Sequence, residues 1–344
     1  ACSTKPENRP YSWDDDLHRR LLTDFCLTES QVKDYIRKYI PDVTDEQMRQ
    51  WEASNALECM VLDGEKRYFR NAGPNLFRVD SACYDIKIAK EGTALSGSEK
   101  VNKENLPEVI TAVKKENKAI VAPKRMRVTY TLTVDTNAVP AGKLVRCWLP
   151  YPRTDQARQR DVKFISASEP DYVLSPQECR HSTLYMEKRA VQGEPTVFSE
   201  TFEYTSCGEW HNLRAEDVLP YDTTTALYKE YTAEREKHIV FSPRLRELAA
   251  KLTAGETNPY LKAKRIFRWI NDHFPWASAR EYSTIENIPE YVLDNRHGDC
   301  GQVSLLFITL CPHQRHSRTF SERFMMHPPC VGICMIGRKY ILKV

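Results

Sequence analysis

No run of about twenty apolar residues occurs in the chain, so no segment reads as a helix that crosses a bilayer. Neither sign of charge dominates. Lys and Arg number 50 against 47 Asp and Glu, giving a formal net charge of +3. The two signs are interspersed, which leaves no basic face of the kind that binds nucleic acid. Acidic loops of the sort that bind calcium are not evident, and no cofactor or metal is expected. The 11 cysteines follow no regular spacing, and setting aside Cys2, Cys300, Cys330 and Cys334 leaves seven, an odd number. A disulfide framework is therefore not indicated, and the thiols do not fix the redox compartment. What remains is an ordinary globular composition with 41% hydrophobic residues, and 344 residues imply two or three domains.

One run stands out from this background, Arg296-His297-Gly298-Asp299-Cys300-Gly301-Gln302-Val303-Ser304-Leu305-Leu306-Phe307. Val303, Leu306, Phe307 and Leu310 recur with helical spacing after Cys300, which predicts a helix with one buried face. Asp299 stands at the expected N-cap, and Gly298 and Gly301 are expected to keep bulk away from the thiol. A sulfur at that place faces unpaired backbone N–H groups and the positive end of the helix dipole, the setting in which reactive thiolates form. Cys300 is therefore the candidate nucleophile.

The stretch from Asn258 to Leu310 resembles the transglutaminase-like cysteine-enzyme superfamily. The family pattern is a helix carrying a Trp-Ile pair, a loop, and then Arg-x-Gly-Asp-Cys opening a helix. Here the chain reads Ala263 to Trp269-Ile270, then Tyr291 to Arg296-His297-Gly298-Asp299-Cys300. The resemblance, to bacterial members with a papain-like core, implies a Cys-His-Asp triad with Cys300 as nucleophile. After Leu310 the family pattern breaks. Cys311-Pro312-His313-Gln314-Arg315-His316-Ser317-Arg318 and the residues to Arg323 have no apolar periodicity and cluster basic side chains. Read in a neighbouring frame, compatible codons give the Gly-Ile-Pro-Ala-Arg turn that the family places here, and a second shift between Cys330 and Val344 gives its histidine strand. Residues 312–344 are accordingly expected to be out of frame and the core truncated. The triad His would have been encoded across Cys334 and Met335 and the Asp beyond Val344. His313, His316 and His327, and the Cys330-x-x-x-Cys334 pair, are read as products of the shifted frame or as surface residues. No strand with matching alternation is expected before Met335.

Ala1-Cys2 followed by a polar stretch resembles the processed end of a bacterial lipoprotein, which implies lipid on Cys2, a tether over residues 1–11 and a location outside the cytoplasm. Residues 12–120 read as a mixed helical and hairpin segment. Asp63-Gly64 marks its hairpin turn, Asn75-Leu76-Phe77-Arg78 a docking stretch, and 91–105 an exposed linker. Residues 121–222 read as an antiparallel β-sandwich-like domain. Met126, Val128, Tyr130, Leu132 and Val134 alternate with polar residues, and further strands are expected over 144–149, 162–168, 183–188 and 197–205. Trp148-Leu149-Pro150-Tyr151-Pro152 resembles the phrase in β-domains that precede bacterial transglutaminase-like cores. Residues 223–344 would be the incomplete papain-like core, opening with helices capped at Ser242-Pro243 and Asn258-Pro259. Trp269 and Trp276 are read as core residues, and Tyr282 as a candidate for the cleft wall. The fold class is thus α+β.

In the chemistry this resemblance implies, a thiolate attacks an amide carbonyl to give a thioester, a histidine moves the proton, and the backbone N–H of Cys300 donates to the oxyanion. Water as acceptor makes a peptidase or amidase, amine a transglutaminase, and hydrolysis is expected on peptide or protein substrates. Without the triad histidine and aspartate, the polypeptide as written is expected to be inactive. The rival reading is a non-catalytic extracytoplasmic binding or scaffold lipoprotein that touches membrane only through its lipid.

Overall fold

The computed structural model describes residues 12–93, 97–179, 181–219 and 222–311, and the strand backbones Arg318–Met325 and Ile333–Tyr340. Cys2, His313, His316, His327 and Cys330 lie outside these residues, and of Cys334 only its place on a strand is described. The chain divides into two compact units, residues 1–95 with 213–344 and residues 96–212, and both combine helices with antiparallel strands.

The first part of the larger unit comprises α1 (Trp13–Asp24), α2 (Glu29–Ile36), α3 (Asp45–Ala53), β1 (Cys59–Leu62), β2 (Glu65–Tyr68), α4 (Ala72–Val79) and α5 (Ser81–Glu91). Thr28 with Gln31, and Thr44 with Gln47, form reciprocal capping boxes that satisfy the first amides of α2 and α3. Asp63 and Gly64 both take positive φ, 53° and 79°, as the expected two-residue hairpin turn requires. Phe25, Ile36, Leu57, Tyr68, Phe69, Leu76 and Phe77 are buried together as its core.

The smaller unit holds α6 (Gly97–Glu116), β3 (Ile120–Val134), β4 (Leu144–Pro150), β5 (Gln159–Ala167), β6 (Tyr172–Leu174), β7 (Thr183–Arg189) and β8 (Thr196–Glu209). Two three-stranded antiparallel sheets, ordered β3-β8-β5 and β4-β7-β6, enclose Cys147, Leu149, Leu184, Met186 and Phe198. This is the expected sandwich-like arrangement, with β6 as an additional short strand. The linker expected over 91–105 is corrected. Most of it is helix, since Glu91 ends α5 and α6 begins at Gly97. The polar stretch is the opening of a helix whose apolar positions come later. Its Val109 seats so closely on Gly208 of β8 that a Cβ there would lie 2.4 Å from the Val109 side chain.

The rest of the larger unit has α7 (Ala226–Tyr231), α8 (Pro243–Leu252), α9 (Pro259–His273), α10 (Ile288–Asn295), α11 (Cys300–Leu310), β9 (Arg318–Met325) and β10 (Ile333–Tyr340). Ser242 and Asn258 cap α8 and α9 as expected, each with Pro in the first turn. In α9, Ile266 and Ile270 are buried, whereas Phe267 is half exposed. Helix α11 departs from the expected single buried face, because Gly301, Gln302 and every residue from Ser304 to Leu310 are buried. A helix apolar nearly all round its circumference belongs inside a domain rather than on its rim. Strand β9 pairs antiparallel with β10 from Arg318↔Tyr340 to Met325↔Ile333, although its sequence lacks the apolar alternation whose absence was noted above. Ladder bonds join backbone groups, so pairing does not require an alternating apolar pattern.

The sandwich contains one ionisable group at odds with its surroundings. Glu200 on β8 is buried between Phe198 and Phe202 along the inward face, and among the described residues neither carboxyl oxygen has a hydrogen-bond partner. Burial pushes its pKa up to about 8, from an ordinary value of 4.5. Between those values the folded chain keeps a proton that the unfolded chain releases. Stability therefore falls as pH rises through that window and is level outside it. Urea unfolding across the window, followed by a probe in residues 120–209, should show this slope in the native protein and its loss in Glu200→Gln. An identical slope in both would mean that Glu200 is not the group responsible.

Candidate active site

Cys300 is the first residue of α11, and its position is set by the turn before it. Helix α10 ends at Asn295, and Arg296 adopts left-handed backbone with φ 56°, which turns the chain out of the helix. Asp299 then starts α11. Its carboxylate accepts from the Gln302 N–H at 2.9 Å, while the Gln302 side-chain oxygen accepts from the Asp299 N–H at 3.4 Å. The same Asp299 oxygen accepts from the Tyr282 hydroxyl. Burial and the adjoining carboxylate hold the Tyr282 phenol far above its usual range, so it remains a donor. Tyr282 was a candidate for the cleft wall; it serves instead as a part-buried anchor of the helix cap.

Gly298 packs tightly against the start of α11. A Cβ there would lie 3.1 Å from Gln302 Cβ and 3.2 Å from a methyl of Val303, so its lack of a side chain admits the first turn of α11. Its carbonyl accepts from the Ala277 N–H at 3.1 Å, and Gly298 forms a parallel bridge with Trp276. These contacts lay the segment after α9 beside the thiol. The result is a cleft of about 220 Å³ lined by Phe274, Trp276, Gly298, Asp299, Cys300, Val303 and Ser304.

The reading of Trp276 as core is corrected: it is 52% exposed and forms a wall of this cleft. It lies beyond the end of α9, where its neighbours Phe274 and Ala277 are buried and Trp276 is not. Trp269 is packed against the core of α8–α11 as expected, with its ring 5.1 Å from Phe274.

His297, three residues before the thiol, is 1% exposed, and its Nδ1 has no hydrogen-bond partner among the described residues. Burial lowers its pKa to about 4, which keeps the imidazole neutral, and it does not line the cleft. Among the described residues no histidine pairs with Cys300, and no group of three or more His, Cys, Asp and Glu is arranged to hold a metal. A larger cavity of about 460 Å³ lies among α8, α9 and α10, with Arg244, Lys251, His273 and Arg296 in its wall. It shares Phe274 with the thiol's cleft but contains no nucleophile, so its size does not make it the reaction centre.

Residues 12–93 reach this site directly. Asn75 on α4 donates to the Ser278 carbonyl and accepts from the Ser278 N–H, both at 2.9 Å, so its amide acts like a strand partner. Asp24 accepts from the Glu281 N–H at 2.6 Å, and Tyr291 donates to Glu58 at 2.8 Å. Burial pushes the Glu58 carboxyl up, with the Arg280 guanidinium opposing that shift. The docking stretch expected at Asn75–Arg78 is thus a clamp on residues 276–281. Its targets lie 203 positions away from Asn75, which left no local signal in the sequence.

Residues 246–314 match the family model described as the transglutaminase-like superfamily. No curated protein matches the chain. Two solved structures are similar at low identity. One, described as a candidate cysteine protease from Cytophaga hutchinsonii, is 15% identical and covers 64% of this chain and 76% of its own, with a TM-score of 0.45. The other, the periplasmic domain of TgpA from Pseudomonas aeruginosa bound to ethylmercury, is 11% identical and covers 66% and 85%, with a TM-score of 0.25.

The cap generates a specific expectation. Asp299→Ala removes the acceptor for Gln302 N–H and strands the Tyr282 hydroxyl, at a cost of about 1 kcal/mol. Urea unfolding should register that loss, and hydrogen exchange should show faster opening of the Gln302 amide. Unchanged exchange at Gln302 would mean that Asp299 does not hold the start of α11.

Proposed function

We propose that this chain, which belongs to the transglutaminase-like superfamily through residues 246–314, is a cysteine acyl-transfer protein whose nucleophile is Cys300. The observation that carries the reading is the placement of Cys300 at the opening turn of a capped, buried helix, with its side of the turn lining a cleft. The thiolate attacks an amide carbonyl, a C–S bond forms, the C–N bond breaks, and the leaving amine takes up a proton. The Cys300 N–H belongs to the first turn of α11, where amides have no intrahelical acceptor, and it is the donor proposed for the oxyanion. Hydrolysis of peptide or protein substrates is the favoured outcome, because the cleft opens to solvent and water can reach the thioester. The location expected from the sequence, outside the cytoplasm, is retained as part of the proposal.

The same reading limits this polypeptide. A neutral, buried His297 cannot move the proton at Cys300, and without a general acid and base the rate suffers on the order of a hundred- to ten-thousandfold. The family match stops at residue 314, close to where the reading frame is inferred to shift at residue 312, which supports a displaced frame over 312–344. The chain should therefore acylate once and stall. With a p-nitrophenyl ester it should release one equivalent of nitrophenol, show the added acyl mass on Cys300, and turn over no further. Sustained turnover that disappears in Cys300→Ala would show that the chain contains a working base and that the frame account is wrong. No acylation at all would favour the non-catalytic binding or scaffold reading.

A further inference from the structure

Helix α4 presents Asn75 and Arg78 at i and i+3, on one side of the helix. Asn75 clamps Ser278, and the Arg78 guanidinium lies over the ring of Trp276 with its carbon 4.7 Å from the ring centroid. Trp276 in turn is bridged through its backbone to Gly298 and lines the cleft with Cys300. A positive charge from residues 12–93 is thus seated on a ring that lines the same cleft as the thiol. Arg78 is exposed, and among the described residues no carboxylate pairs with it. Its planar fork is suited to bind a carboxylate in two-point fashion while the ring beneath it holds the plane in place.

We propose that Arg78, seated on Trp276, is a specificity-determining residue that holds a carboxylate of the substrate beside the amide bond attacked by Cys300. This rests on the reading of Cys300 as nucleophile. The carboxylate comes either from an acidic side chain of the substrate or from a free chain end. In either case, the cation raises the local concentration of anionic substrate and fixes it against the cleft wall. Trp276 supplies an apolar wall of the cleft on which the guanidinium rests.

The test uses the full chain and two reagents of similar size, neutral iodoacetamide and anionic iodoacetate. Each loses iodide as the thiolate forms a C–S bond. The quantity read by mass spectrometry at Cys300 is the ratio of the iodoacetate rate to the iodoacetamide rate. An exposed guanidinium close to the bound anion should make that ratio in the native protein roughly five- to tenfold higher than in Arg78→Gln. Arg78→Lys should retain only part of the preference, because its ammonium keeps the charge but not the two-point fork stacked on Trp276, and raised salt should erode it in both charged forms. An equal ratio in native protein and Arg78→Gln overturns the subsite while leaving the nucleophile intact. So does an equal fall in both rates, since that would make Arg78 a support for Trp276 and nothing more. Inertness of Cys300 to both reagents removes the nucleophile reading and the subsite with it. Iodoacetyl-glutamic acid α-amide, with a side-chain carboxylate, and iodoacetyl-glycine, with a free chain-end carboxylate, separate the two sources by which one loses rate in Arg78→Gln.

Discussion

The placement of Cys300 depends on one carboxylate. Asp299 accepts from the Gln302 N–H and from the Tyr282 hydroxyl, and its own N–H is accepted by the Gln302 side chain. Those contacts decide where α11 begins, and so decide that the next residue, Cys300, faces a cleft instead of the interior. Every residue from Ser304 to Leu310 is buried, so the helix has little freedom to slide or rotate once its start is fixed. Capping and burial act together: burial holds the helix body, and the cap sets its register. The same carboxylate would be unavailable to orient a histidine, which is consistent with a cap that serves structure rather than proton transfer.

A second constraint comes from far along the chain. The segment that forms the wall opposite α11 has few internal bonds, and its backbone groups are met by Asn75, Asp24 and Gly298. Residues 12–93 therefore share in shaping the cleft, because a backbone amide or carbonyl left without a partner at a part-buried site costs free energy. Arg78 and Trp276 show what this sharing allows. A side chain from early in the sequence rests on a ring that lines the cleft of Cys300.

Much of this was legible in the sequence because it is written in local chemistry. The Asp63-Gly64 turn, the Ser242-Pro243 and Asn258-Pro259 caps, the alternation from Met126 to Val134 and the Asp299-Cys300 helix start all rest on neighbours within a turn or a strand. What was not legible depends on distant partners. Nothing adjacent to Trp276 says that it will be half exposed, since its neighbours Phe274 and Ala277 are buried and the pattern of apolar residues is the same either way. The Asn75–Ser278 clamp carries no periodic signal. The polar opening of α6 read as a linker because the apolar residues that anchor it come later, among them Val109. Gly298 stood out in the sequence, but its close contacts with Gln302 and Val303 depend on the turn into α11.

The central claim is that the start of α11 makes Cys300 chemically unlike the other thiols. Cys26 and Cys179 are more exposed than Cys300, so exposure alone predicts that they react first. Rates of alkylation by a neutral reagent, resolved by residue in the folded protein, set these two effects against each other. The account predicts that Cys300 reacts faster than either Cys26 or Cys179 and that the advantage disappears on unfolding. A rate at Cys300 equal to or below theirs in the folded protein would contradict it.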